Sequence, residues 1–115
     1  MSRKSDIVVA KFPFTNHEES KLRPVLILSK SPGEFDDYIV AFISSQIRHY
    51  VPEVDFLLEV SSGYFKDTGL KITSVIKTGK IATISVDVIA GKIGSLNKEL
   101  TERVIDKIIK ILRNF

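Results

Sequence analysis

The chain contains no cysteine and no tryptophan, and its only imidazoles are His17 and His49. Without a thiol there is no disulfide, no thiolate zinc or iron–sulfur site and no cysteine nucleophile, a usage that fits a reducing compartment such as the cytoplasm. Neither histidine has a second ligand at helical or hairpin spacing, and His17-Glu18-Glu19-Ser20-Lys21 carries Lys where a zincin has its second His. No protein metal site and no cofactor are therefore expected. Gly79-Lys80 and Gly91-Lys92 lack both the preceding glycine and the following Ser or Thr of a phosphate loop, and no G-x-S-x-G elbow occurs. Apolar runs are short as well. The longest, Tyr38 to Ile43, falls far below the roughly 20 residues that cross a bilayer. Ile7 to Ala10 stops at Lys11, short of the roughly 7–15 residues of a secretory signal's apolar region. Neither a membrane association nor an export signal is expected.

What is present suits a globular protein. A chain of 115 residues is long enough for one domain, here residues 1–115, that buries roughly two thirds of the surface its unfolded form exposes. Hydrophobic residues at 43% and charged residues at 27% separate it from disordered and membrane chains. Lys and Arg total 17 against 14 Asp and Glu, a net charge of +3 that permits a polyanionic partner but equally describes a mildly basic solvated surface.

Asp6 to Phe12, Pro24 to Ser29 and Tyr38 to Ile43 are β-branched or aromatic-rich runs separated by Pro, Gly, Asn and Ser, which predicts three early strands. Val54 to Val60, Ile72 to Lys77 and Lys80 to Ser85 continue the pattern, with a turn expected at Thr78-Gly79 and a further short strand over Val86 to Ala90. Ser61 to Phe65 has the composition of one helical turn capped by Ser61 and ended by Gly69. The period then changes. Leu100, Val104, Ile105, Ile108, Ile109, Leu112 and Phe115 recur at three and four residues, predicting an amphipathic helix with Asn97 as N-cap and with Glu99–Arg103 and Asp106–Lys110 as i,i+4 pairs. One helix thus closes one β-sheet or small barrel. The longest irregular segments, Pro13 to Leu22 and Gln46 to Glu53, are the candidates for a working surface.

The order of several short motifs is informative. Asp6-Ile7-Val8-Val9, Lys11-Phe12-Pro13-Phe14-Thr15 and Lys21-Leu22-Arg23-Pro24 followed by Val25-Leu26-Ile27-Leu28-Ser29 resembles the opening of the MazF/PemK toxins, small ribosome-independent endoribonucleases of toxin–antitoxin pairs. The likeness runs on through Ala41 to Gln46, Thr68 to Lys71, Ser74 to Lys77 and Lys80 to Ile84, nearly the whole chain. Arg-Pro followed by an apolar strand and Ser is its most specific element. The resemblance implies a mainly β fold, an SH3-like small barrel or strongly twisted antiparallel sheet with a C-terminal α-helix (CcdB/PemK-like). It also implies a homodimer, an RNA groove between or beside the protomers, and a cognate antitoxin.

In that family an Arg at the place of Arg23 and a Thr or Ser at the place of Ser44 carry metal-independent cleavage of single-stranded RNA. The chemistry suits them. Attack by the ribose 2′-OH requires removal of its proton, stabilisation of charge on phosphorus and protonation of the leaving 5′ oxygen. A guanidinium grips phosphate oxygens in a bidentate fashion, and a hydroxyl orients the phosphate or the 2′-OH. His17, six residues before Arg23, falls where a PemK-type member carries a histidine and is the third catalytic candidate. Ser45, Gln46, Arg48, Lys21, Lys71 and Lys77 are candidates for holding RNA, and Tyr50 or Phe14 for stacking a base. Each has an ordinary alternative: Arg23 pairing with Glu18 or Glu19, Ser44 capping a strand end, His17 idle in a loop, Lys71 and Lys77 solvated, and Phe14 in the core.

Two positions depart from the family pattern. Ser5 replaces the usual Gly before Asp6, and a PemK-type Arg-x-Asp falls on Lys77 and Gly79, which removes its acid. The lost acid at Gly79, together with Ser44 where the family's Thr stands, supports a second reading, a catalytically decayed RNA-binding or regulatory module on the same fold. Gyrase poisoning, as in CcdB relatives, calls for a Trp-bearing C-terminal tail, whereas this chain ends Arg113-Asn114-Phe115.

Overall fold

The computed structural model describes residues 2–11 and 21–115. Six strands, β1 (Asp6–Lys11), β2 (Leu22–Lys30), β3 (Asp37–Ser44), β4 (Phe56–Leu58), β5 (Ser74–Ser85) and β6 (Ile89–Ser95), form one antiparallel sheet in the order β4-β5-β3-β2-β1-β6. Helix α1 (Lys98–Asn114) follows. The mainly β architecture with a C-terminal helix is thus as expected, while His17, Phe14 and most of the first irregular segment lie outside the described residues.

Apolar side chains leave both faces of the central strands. Leu26 and Leu28 join Ile7, Ala41, Ile43 and Ile76 against Val104 and Ile108 of α1. Val25 and Ile27 join Val8, Ala10, Val40 and Ile84 on the other face. This double burial explains why β2 is a continuous apolar run and not an alternating one. Each buried Val, Leu or Ile contributes about 1.5–3 kcal/mol, so the two clusters together form the core.

At the head of α1 the Asn97 side chain accepts the Leu100 N–H at 2.9 Å, the cap its position predicts. Glu99 and Arg103 pair at 3.3 Å, whereas Asp106 and Lys110 form no ion pair. The apolar stripe overshoots the sheet: Leu112 and Phe115 are exposed beyond it. Ser5 has φ of 81°, the left-handed region that favours glycine, which accounts for the Gly usual at this place. Its hydroxyl donates to buried Thr101 Oγ1 at 2.8 Å, a bond glycine cannot make.

Three local expectations change. Ile72–Lys77 and Lys80–Ser85 are not two strands about a turn but parts of the single strand β5. Against β3 its register steps from Ala41↔Ile81 to Phe42↔Lys77, so Thr78, Gly79 and Lys80 are accommodated as a wide bulge. Val86–Val88 is a 3₁₀ turn and the strand comes later, as β6, because Ser85 Oγ accepts the Asp87 N–H at 3.1 Å and turns the chain. The helical turn expected at Ser61 is a 3₁₀ turn at Phe65–Thr68, in which Thr68 Oγ1 donates to the Phe65 carbonyl at 2.6 Å.

That last turn closes the fold. β4 and β6 are opposite edges of the sheet, yet the Phe65–Thr68 turn after β4 lies directly on β6. A Cβ built on Gly94 would stand 2.3 Å from the Thr68 carbonyl carbon, and one on Gly69 would stand 2.0 Å from the Ile93 oxygen. Only hydrogen fits at this seam. Gly94→Ala is therefore expected to lower the urea-unfolding free energy by about 3 kcal/mol or more. Gly79→Ala, whose new methyl meets nothing within 4 Å, is expected to change it by less than about 0.5 kcal/mol.

Candidate active-site cleft

The cleft begins where β2 and β3 part. Their ladder ends at Val25↔Phe42, and the next residue of β2 is Pro24, which has no N–H to continue it. Beyond that point Arg23 on β2 and Ser44 on β3 face a common cleft of about 570 Å³. Ser45, Gln46 and His49 come from the segment after β3, Lys71 and Ile72 from the segment before β5, and Lys77 and Lys80 from β5 itself. The bulge in β5 carries Lys80 to the rim.

The cleft is strongly one-signed. Arg23, Lys71, Lys77 and Lys80 line it, and among the described residues no Asp or Glu does. Arg23 and Lys71 are exposed, so their charges are available to a ligand. Ser44 is half-buried, and its Oγ accepts the Gln46 N–H at 3.0 Å. The strand-end capping named as its ordinary role is therefore present, yet an accepting hydroxyl keeps its own proton to donate into the cleft.

Lys77 is less free than its sequence position suggests. Its ammonium is bound to Asp55 Oδ2 and donates to the His49 carbonyl at 2.8 Å. Asp55 is only 2% exposed and the Lys77 side chain 16%, so this is a nearly buried ion pair. The same Asp55 oxygen accepts the Val51 N–H at 2.9 Å, and Thr78 Oγ1 donates to the Val54 carbonyl at 2.7 Å. Within the loop the His49 N–H bonds the Gln46 carbonyl at 3.1 Å. The Gln46–Asp55 segment is thus stitched to β5, and Lys77 serves mainly as a stitch.

Six of the residues singled out in the sequence come together here: Arg23, Ser44, Ser45, Gln46, Lys71 and Lys77. Lys21 and Arg48 are exposed but are not on the cleft wall, and Arg48 Nε instead approaches His49 Nε2 at 3.4 Å. Half-buried Tyr50 is not on the wall either. His49, Lys80 and Asp55 were not anticipated. His49 lay inside a segment already marked as a working surface, and Asp55 stood as a lone acid at the head of an apolar run, a signal of a buried pair. Lys80 had no such signal, because a bulge is a tertiary event. Among the described residues no three of His, Cys, Asp and Glu are gathered to hold a metal ion.

Asp55→Ala leaves Lys77 without its partner in a nearly buried position and is expected to cost about 3 kcal/mol of stability in urea unfolding. Amide exchange at Val51, which loses its acceptor, is expected to accelerate in the same variant.

Comparison with known proteins gives the family and the fold. The family model described as PemK-like, MazF-like toxin of type II toxin–antitoxin system matches residues 3–112. A search of curated proteins by sequence gives no match. Among solved structures, the Mycobacterium tuberculosis toxin MazF-mt6 shares the fold with a TM-score of 0.69 at 22% identity, over 94% of this chain and 96% of that one. With the family pattern spanning almost its entire length, the chain belongs to the PemK-like, MazF-like toxins of type II toxin–antitoxin systems.

Proposed function

We propose that this protein is a ribosome-independent, metal-independent endoribonuclease that cuts single-stranded RNA by 2′-OH attack, leaving a 2′,3′-cyclic phosphate. It works in the cytoplasm as a homodimer, with residues 1–115 as one toxin domain, and is silenced by a cognate antitoxin. The observation that carries this reading is the meeting of Arg23 and Ser44 in a cleft whose charged side chains, among the described residues, are all cationic. Such a cleft attracts anions, and a chain of phosphates, which meets several of its cations at once, more than a ligand with a single negative charge.

Arg23 grips the scissile phosphate and stabilises the charge that accumulates on its equatorial oxygens as the pentacoordinate state forms. Ser44, anchored by the Gln46 N–H, directs its remaining O–H at a phosphate oxygen or at the nucleophile. Lys71 and Lys80 hold flanking phosphates. Ser45 and Gln46, exposed on the same wall, offer donors and acceptors to unpaired base edges. A binding module without cleavage remains the second reading, and the lone glycine at position 79, where a PemK-type acid belongs, favours it.

The purified protein is expected to degrade single-stranded RNA in excess EDTA and to leave cyclic-phosphate ends. Arg23→Ala is expected to lose at least about 10²-fold in rate, as removal of a transition-state donor does. Undiminished cutting by that variant rejects its role, and RNA binding without any cutting by the wild type selects the second reading. Lys71→Ala and Lys80→Ala are each expected to weaken RNA binding across sequences and to flatten the log–log salt slope by about 0.7.

A further inference from the structure

Metal-free attack by a 2′-OH needs a group that takes a proton near neutral pH, and the described residues given a catalytic or RNA-holding role above do not supply one. A guanidinium stays charged at any biological pH, an ammonium holds its proton at neutrality, and a hydroxyl or a carboxamide is too weak a base. No carboxylate lines the cleft among the described residues. His49 does. Resting on the nuclease reading above, we propose that His49 is the general base of RNA cleavage.

Three observations support it. His49 is an exposed residue lining the same cleft as Arg23, Ser44 and Gln46. Its backbone is held at both ends, the N–H by the Gln46 carbonyl and the carbonyl by Lys77, which is itself fixed by buried Asp55. The ring is thus carried on a rigid platform in spite of lying in a loop. Finally, Arg48 Nε donates to His49 Nε2 at 3.4 Å, an arrangement in which Nε2 presents a lone pair. That contact is long and exposed, so a ribose hydroxyl can replace it.

Among the described residues, the charged groups around His49 are Arg48 on its own turn and, lining the same cleft, Lys77 and Lys80 on β5, Lys71 before β5 and Arg23 on β2, with Asp55 paired to Lys77. In the reaction neutral His49 accepts the 2′-OH proton. The freed oxygen pair forms the new bond to phosphorus, the P–O5′ bond breaks with its electrons going to the 5′ oxygen, and the imidazolium returns the proton to that oxygen through solvent. No water is consumed and the products are the cyclic phosphate and a 5′-OH.

The test is the pH dependence of kcat/KM on a mixed-sequence single-stranded RNA in EDTA. A base works only when unprotonated, so the wild-type rate falls toward acid pH, and His49→Gln is expected to lose ~10²- to 10⁴-fold and to abolish that acidic limb. Affinity for an uncleavable 2′-deoxy copy of the RNA is expected to stay within about threefold, since a proton transfer contributes to the transition state and not to binding. Added imidazole is expected to restore part of the rate to His49→Gly. A His49→Gln enzyme with full rate and an unchanged profile, while Arg23→Ala is inert, overturns the assignment and leaves the nuclease reading intact. So does the reverse pattern, in which His17→Gln removes the acidic limb and His49→Gln keeps it. Absence of cleavage by the wild type overturns both.

Discussion

The close approach of the Phe65–Thr68 turn to β6 is the constraint from which the shape of this molecule follows. A six-stranded antiparallel sheet has two free edges, and here the sheet curls until the chain leaving one edge strand touches the other. The contact is made backbone to backbone, with Gly94 against Thr68 and Gly69 against Ile93, so it has a single tolerated distance. Curling brings apolar residues of both sheet faces into enclosed clusters, one of them completed by α1. It also brings the Lys71 segment, which follows the seam directly, to the wall of the cleft that Arg23 lines.

The cleft is a by-product of two interruptions in otherwise regular pairing. Pro24 ends the β2–β3 ladder, and the bulge of β5 breaks the β3–β5 ladder one residue away at Phe42. Only β2 parts from β3 at this end, since β5 stays paired with it to Ser44↔Val75, and the half-buried Ser44 is left on the wall of the cleft that opens on the β2 side. Interruptions of this kind are costly in a small sheet, and they tend to mark places where geometry is used for something other than stability.

Nearly buried charge then fixes what the interruptions loosen. Asp55 spends both its attraction for Lys77 and its acceptance of the Val51 N–H on the loop that carries Gln46 and His49. Removing the water around such a pair is unfavourable, and a well-packed apolar pair of similar volume is often the more stable choice. Its presence beneath a cationic cleft is better understood as positioning. In the PemK-type pattern an arginine occupies the place of Lys77 with an acid two residues on; here the carboxylate beside that place comes from another part of the chain, at Asp55. The acid missing at Gly79 is therefore not a missing charge partner for residue 77.

Much of the fold was legible in the residues themselves, because it depends on local periodicity. The alternating and continuous apolar runs marked β1, β2 and β3, and the three-and-four spacing behind Asn97 marked α1 down to its cap. The same residues placed Arg23 and Ser44 at strand ends near each other by resemblance of motif order. What depended on distant partners was not legible. A turn signal at Thr78-Gly79 became a bulge because β3 continues past it and holds β5 extended on both sides. Lys77 looked like a free phosphate ligand until a carboxylate 22 residues earlier was found against it. His49 carries no role in the sequence beyond lacking a metal-ligand partner, and its place on the cleft wall comes from the Asp55–Lys77 pair, which holds its backbone carbonyl. Sequence determines which faces are apolar, since that is a property of neighbours along the chain. Only tertiary structure decides which charges are already spent and which face an open cleft, since that is set by neighbours across space.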